Sequence, residues 1–288
     1  MFGESGLSRD LLPPAEGKIA DRVGSHRPAE CGLLPPTTNN QQPTTGQRPI
    51  GQPTTFARML KRPLFWLSLP LLLPQGLWLK RTARRLPPAA GAMAGEVGEG
   101  RPLRLLLVGD SIIAGVGVAQ LADAMPGQLA RALAARGSRV AWQALGDNGA
   151  SSCDLLRQLD ALPAEPADVV FVSVGVNDVT RLTTARAWRA QLGALLAGLR
   201  AHSPQATVVL AGVPPMDRFP ALPVPLRQAF GWRAARLDAV GREVAAAHAA
   251  VHVPTPVPDD PSAFAEDGYH PNAAACAVWA REVVAALP

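Results

Sequence analysis

Cysteine is scarce in this chain. There are three among 288 residues, Cys31, Cys153 and Cys276, far apart and in no CxxC pair or metal-ligand pattern. So few, in an odd number, argue against a disulfide framework and leave no ground for a cysteine-bound metal. They leave the redox compartment open. Lysine is absent after Lys80, and the arginines beyond it are scattered along helical stretches, where they read as solvated faces. The net charge of +5 therefore does not point to nucleic acid. No G-x-x-x-x-G-K-[ST] and no full G-x-G-x-x-G occurs, so a nucleotide-binding reading rests on Gly115-Val116-Gly117 alone. Nor does any uninterrupted apolar run reach the roughly 20 residues that span a bilayer.

What is present divides the chain into parts. Residues 1–58 show no sustained period, and the proline-broken polar run from Pro35 to Pro43 reads as disordered. Met59-Leu60-Lys61-Arg62 looks like a fresh N-terminus, so 1–58 are expected not to belong to the natural product. Residues 63–79, PLFWLSLPLLLPQGLWL, are apolar but carry Pro70 and Pro74, which disturb a helix. Arg58, Lys61 and Arg62 precede them; Lys80, Arg81, Arg84 and Arg85 come after. Residues 59–85 thus read as a membrane-associating segment, an anchor or an interfacial stretch, ahead of a cleaved signal peptide or a buried core segment. The side of the membrane stays open, secreted or periplasmic placement included. A Pro/Gly/Ala-rich linker is expected over 86–101, and a globular domain over 102–288.

Inside that domain five short apolar runs alternate with longer helical stretches. The runs are Leu103–Val108, Val140–Leu145, Asp168–Val174, Thr207–Val213 and Val251–Val253. The stretches are Gln120–Arg136, Thr184–His202, Leu226–Ala249 and Pro271–Leu287. Continuous apolar strands separated by amphipathic helices predict a three-layer α/β/α sandwich around a parallel sheet of about five strands. Ligands of such sheets lie beyond the carboxyl ends of the strands.

Four of those ends carry residues with chemical uses. The first gives Gly109-Asp110-Ser111-Ile112, a tight turn that can expose a serine hydroxyl before a helix. The second gives Asn148-Gly149, whose backbone N–H can approach a ligand. The third gives Gly175-Val176-Asn177-Asp178, where an Asn amide can meet developing negative charge. Near the chain's end, Asp267-Gly268-Tyr269-His270 places a carboxylate three residues before an imidazole, able to fix its tautomer. Each fragment alone has an ordinary reading: a helix cap, an Asn-Gly turn, an Asn-Asp turn, a surface histidine. Together they set a nucleophile, a base, an orienting acid and two kinds of oxyanion donor at one sheet edge.

At these residues the sequence resembles the SGNH hydrolase family, also called GDSL-like esterases, from about Leu103 to Leu287. The resemblance implies a flavodoxin-like fold, with Ser111 as nucleophile and His270 and Asp267 as base and acid. It implies oxyanion donors at the Ser111 N–H, the Gly149 N–H and the Asn177 side chain. It implies hydrolysis of carboxylic esters through an acyl-enzyme, with no metal or organic cofactor. Ile112 stands where the family motif has Leu, a change expected to touch packing only. The alternative is a catalytically silent, membrane-tethered interaction module on the same fold. The expected partners are a small-molecule or lipid-like ester and a membrane met through 63–79, with no nucleic acid. The segment Val213–Pro225, with Met216 and Phe219, reads either as a wall of the acyl pocket or as a passive loop. Trp188 and Trp232 read as packing residues.

Overall fold

The sheet is built from segments that have little choice. Leu105, Leu106, Leu107 and Val108 are all buried, so this strand must be covered on both faces. It runs Arg101–Gly109 (β2) and sits between Ser138–Gly146 (β3) and Val169–Ser173 (β4), parallel to both. Thr207–Ala211 (β5) and Val251–Val253 (β6) extend the sheet beyond β4, again in parallel. The strand Ala94–Val97 (β1) adds an antiparallel edge to β3. The order across the sheet is β1-β3-β2-β4-β5-β6. Its five parallel strands have the flavodoxin-like order, whose direction of winding reverses between β2 and β4.

In this computed structural model the described residues are 72, 74–78, 81, 84–257 and 259–288. Disorder over 1–58, a start at Met59 and most of the 59–85 segment fall outside them. The linker expected over 86–101 is corrected in part, because Ala94–Val97 is β1. This strand escapes a sequence reading because its residues are exposed or half-buried and it holds its edge by main-chain pairing. Gly95 faces Trp142 in the register, and a side chain there would press on the indole.

Helices cover both faces. Met125–Ala134 (α1) and Ala273–Ala285 (α6) pack together on one face, burying Met125, Leu129, Trp279 and Val283 against Leu105, Leu107 and Phe171. On the other face lie Ala185–His202 (α4) and Leu226–Ala247 (α5). In α4 the buried Trp188, Leu192, Leu195, Leu196 and Leu199 form a stripe at helical spacing, and Thr184 Oγ1 caps the first turn by accepting from Ala187 N at 3.1 Å. Two short helices, Ser152–Arg157 (α2) and Val176–Thr180 (α3), come after β3 and β4 and bracket the sheet's carboxyl edge. Trp188 is core, its Nε1 donating to Leu237 O, whereas Trp232 is exposed.

Part of the preceding segment lies along this domain. Leu72 is buried in the same cluster as Phe219, Leu222 and Leu226. Gln75 Nε2 donates to Val224 O, and its Oε1 accepts from Leu226 N. Farther on, Ala89 N donates to Ala114 O and Ala90 N to Ala119 O. Among the described residues no helix is long and apolar enough to cross a membrane.

Candidate active site

The strand β2 ends at Gly109, where the chain must pass close to its neighbour. A side chain there would collide with the Ser173 carbonyl of β4 and with Ile113. The helix expected over Gln120–Arg136 forms as α1, but it starts only at Met125, well after the serine. Residues 111–117 make irregular turns, closed by Ala114 N to Asp110 O at 3.0 Å and Val116 N to Ser111 O at 2.9 Å. Gly115 and Gly117 take φ of +71° and +94°, which ends any helical run. Gly117 also meets the Cβ atoms of Ala265 and His270, so the lack of a side chain lets the base loop close onto the serine turn. Packing thus accounts for the Gly115-Val116-Gly117 motif.

That base loop is a small hairpin. Ala265 N donates to His270 O at 2.8 Å, Gly268 N to Ala265 O, and Phe264 bridges Pro271. Gly268 supplies the positive φ of the turn, +65°. Phe219 packs edge-on against both Phe264 and Tyr269, centroids 5.9 Å apart in each case. The helix α6 then starts at its cap, Asn272, which accepts from Ala275 N and donates to Ser262 O.

The loop and the turn bring three side chains into one line. Ser111 Oγ lies 2.8 Å from His270 Nε2, and His270 Nδ1 lies 2.6 Å from Asp267 Oδ2. Asp267 Oδ1 accepts from the N–H groups of Tyr269 and His270. Burial pulls the Asp267 carboxyl upward, but these hydrogen bonds and the His270 ring outweigh it and hold it below the usual range. As an anion it accepts from His270 Nδ1–H, which leaves Nε2 as the acceptor facing the serine hydroxyl.

The other two expected residues follow the strands that flank β2. The turn 147–150 after β3 is closed by Ala150 N to Asp147 O at 3.0 Å, with Gly149 third at φ +91°, a conformation suited to glycine. Asp147 N donates to Gly109 O, tying this turn to the end of β2. Asn177, in α3, donates from Nδ2 to Ala150 O at 3.0 Å. One of its two amide N–H groups is therefore spent on the turn and the other is spare. Among the described residues, no acceptor takes the N–H of Ser111 or of Gly149.

Sequence reasoning assigned no role to the residues that hold these two elements together. Asp178, fully buried, accepts from Ser152 N and Ser152 Oγ. Arg181 donates to Gly149 O at 2.9 Å, to Ser151 Oγ at 3.2 Å and to Asp154 Oδ2 at 2.6 Å. Ser151 and Asp154 also form the capping box that starts α2. Asp178 stood inside the Gly175–Asp178 motif and could have been flagged; nothing in the sequence singled out Arg181.

A cavity of about 400 Å³ opens beside Ser111 and His270. Its wall is largely apolar, with Phe219, Val257, Phe264, Tyr269, Val278 and Trp279. Phe219 thus makes Val213–Pro225 a wall, while Met216 turns into the core. Ile112 lines the cavity, so the residue expected to affect packing only also borders the site. Asp110 lines it too, and burial, partly offset by the Ile112 N–H and His270, pushes its carboxyl up to about 7. Among the described residues no cluster of His, Cys, Asp and Glu could hold a metal.

A model of the GDSL-like Lipase/Acylhydrolase family matches residues 107–278 of the chain. Solved structures resemble it over most of their own lengths. The lipase/acylhydrolase from Enterococcus faecalis is 25% identical, covering 64% of this chain and 94% of its own, at a TM-score of 0.52. The psychrotrophic esterase EstA from Pseudoalteromonas sp. is 21% identical over 64% and 95%, at 0.52. An acetyl xylan esterase from Geobacillus stearothermophilus is 21% identical over 65% and 95%, at 0.51. At such identities the last two bear on the fold. A search of curated proteins gave no match.

Proposed function

The chain belongs to the GDSL-like lipase/acylhydrolase family and is an ester-hydrolysing enzyme, and from that premise we propose that Ser111, His270 and Asp267 are its catalytic triad, working through an acyl-enzyme. The observation that carries this reading is the unbroken line from Ser111 Oγ through His270 to Asp267, at 2.8 and 2.6 Å.

Ser111 Oγ attacks the ester carbonyl while His270 Nε2 takes its proton. Asp267 stabilises the imidazolium and keeps its ring in place. The negative charge arriving on the carbonyl oxygen is met by the Ser111 N–H, the Gly149 N–H and the spare Asn177 N–H. His270 then gives its proton to the leaving alcohol. Water, deprotonated by the same imidazole, attacks the acyl-enzyme and frees the acid and Ser111. No step calls for a metal or an organic cofactor. The cavity beside Ser111 supports an apolar acyl or alkyl group as the part of the substrate that is bound. Membrane contact through 63–79 belongs to this reading as its location, supported by the apolar run between basic flanks.

A p-nitrophenyl ester series from acetate to palmitate, given to the full chain and to Ser111→Ala, tests the reading. The parent is expected to turn over with a chain-length optimum set by the cavity. The variant is expected to fold and to lose all but a residual rate. Turnover that survives in Ser111→Ala would overturn the assignment of the nucleophile.

A further inference from the structure

The oxyanion donors assigned above do not stand on rigid strands. Gly149 sits in a four-residue turn, with no heavy atom within 4 Å of where a Cβ would be, so nothing packs against that face of it. Asn177 belongs to a helix of five residues. Several of the groups that tie both down meet at one side chain. Arg181, one turn after Asn177, grips the Gly149 carbonyl with Nη2 and the Ser151–Asp154 cap of α2 with Nη1. Its own backbone N–H donates to Asn177 O at 2.8 Å. Asn177 answers by holding Ala150 O, and Asp178 holds Ser152.

We propose that Arg181 is a positioning residue for the oxyanion hole, fixing the 147–150 turn against α3 so that the N–H of Gly149 and the amide of Asn177 aim at one point. This rests on the triad and oxyanion reading above. A planar guanidinium is suited to the task, because its fork can hold a carbonyl, a hydroxyl and a carboxylate at once. The ion pair itself contributes little, as the Arg181 side chain is 53% exposed. Asp154 is also gripped by Arg157, so the cap of α2 keeps a cation when Arg181 is removed. The Gly149 carbonyl has no second side-chain donor among the described residues. Losing Arg181 should therefore release the Gly149 peptide, while Asp147 N and Asn177 still hold the two ends of the turn and α2 stays in place.

A misaimed donor stabilises the transition state less and leaves ester binding in the apolar cavity alone. Arg181→Met is therefore expected to lower kcat by roughly 10- to 100-fold, with KM near the parent value. Its affinity for an alkyl trifluoromethyl ketone, whose adduct with the serine places an oxyanion in the hole, should fall by a similar factor. Asn177→Ala, assayed beside it, is expected to lose roughly 100- to 1,000-fold in kcat. If Asn177→Ala is crippled while Arg181→Met keeps both kcat and ketone affinity, the positioning role is overturned and the oxyanion reading stands. If neither variant changes, the oxyanion reading fails and the positioning role with it. A loss in Arg181→Met that raises KM and lowers the melting temperature, with ketone affinity unchanged, also overturns the proposal. Should Arg181→Met not fold, Arg181→Lys decides. It keeps the charge beside Asp154 but not the fork, and full activity in it would show that the fork is not needed.

Discussion

Asp110 shows at the scale of one residue how the site trades stability for place. Its carboxyl is buried beside the nucleophile, and although Oδ1 accepts from the Ile112 N–H, burial dominates and raises its pKa from 3.8 to about 7. Between those values the native state keeps a proton that the unfolded chain has released, so stability falls as pH rises through the window. Asp154, Asp238 and Asp267 act the other way: burial raises each, hydrogen bonds and nearby cations more than offset it, and their contribution is lost only as pH falls below 3.8. The two windows do not overlap. Asp110→Asn keeps the acceptor for Ile112 and carries no charge. It is expected to melt with the parent near about pH 4 and clearly above it near about pH 8, which melting curves across a pH series would check. A gap that does not grow with pH would contradict the buried-carboxyl account. At this scale Ser111, Gly149 and Asn177 could be picked out as candidates from short motifs at strand ends, and Asp267 and His270 from a short motif just before the last helix. Arg181 and the environment of Asp110 were not legible, because they depend on which loops meet, and a one-dimensional pattern does not carry that.

Elements tell a different story. β2 and β4 could be read from continuous apolar runs, and α4 from its stripe of leucines and its threonine cap, since burial on both faces or on one leaves a period in the sequence. β1 could not, because an edge strand that buries almost nothing leaves no period. The helix after Ser111 was legible as the stretch Gln120–Arg136, but the turns of 111–117 that separate it from the strand were not, and they rest on the positive φ of Gly115 and Gly117. The contact between β2 and β4 at their carboxyl ends leaves the site no room for added volume. Gly109 passes the Ser173 carbonyl so closely that an added methyl group must displace a strand. Gly109→Ala is accordingly expected to cost about 1–3 kcal/mol or more in denaturant unfolding and to lower activity beyond what the lost stability explains. A variant as stable and active as the parent would mean that the two strand ends are not held in this register.

On the scale of the whole molecule, the question is how the segment before the domain relates to the site. Its described residues reach both halves of it. Leu72 and Gln75 hold the stretch that continues from the cavity wall at Phe219, Arg84 pairs with Glu266 beside Asp267, Ala89 bonds to the serine turn and Ala90 to the residues just after it. Leu77, Trp78 and Val224 are exposed there, next to an apolar run with cations on both sides. A lipid surface met by this segment would lie beside the mouth's wall, which suits an enzyme that takes ester substrates from a membrane. The full chain is expected to float with anionic phospholipid vesicles at low salt and to bind neutral vesicles less. A chain that stays at the bottom of the gradient with both would remove the membrane from the account.

The central claim is that Ser111 is an activated nucleophile and that His270 activates it. A fluorophosphonate reacts covalently with such a serine, so intact mass and peptide mapping of the full chain after exposure test the claim directly. The account predicts one adduct, on the peptide carrying Ser111, absent from Ser111→Ala and formed far more slowly in His270→Ala. An unlabelled chain, or a label that persists in Ser111→Ala, would contradict it.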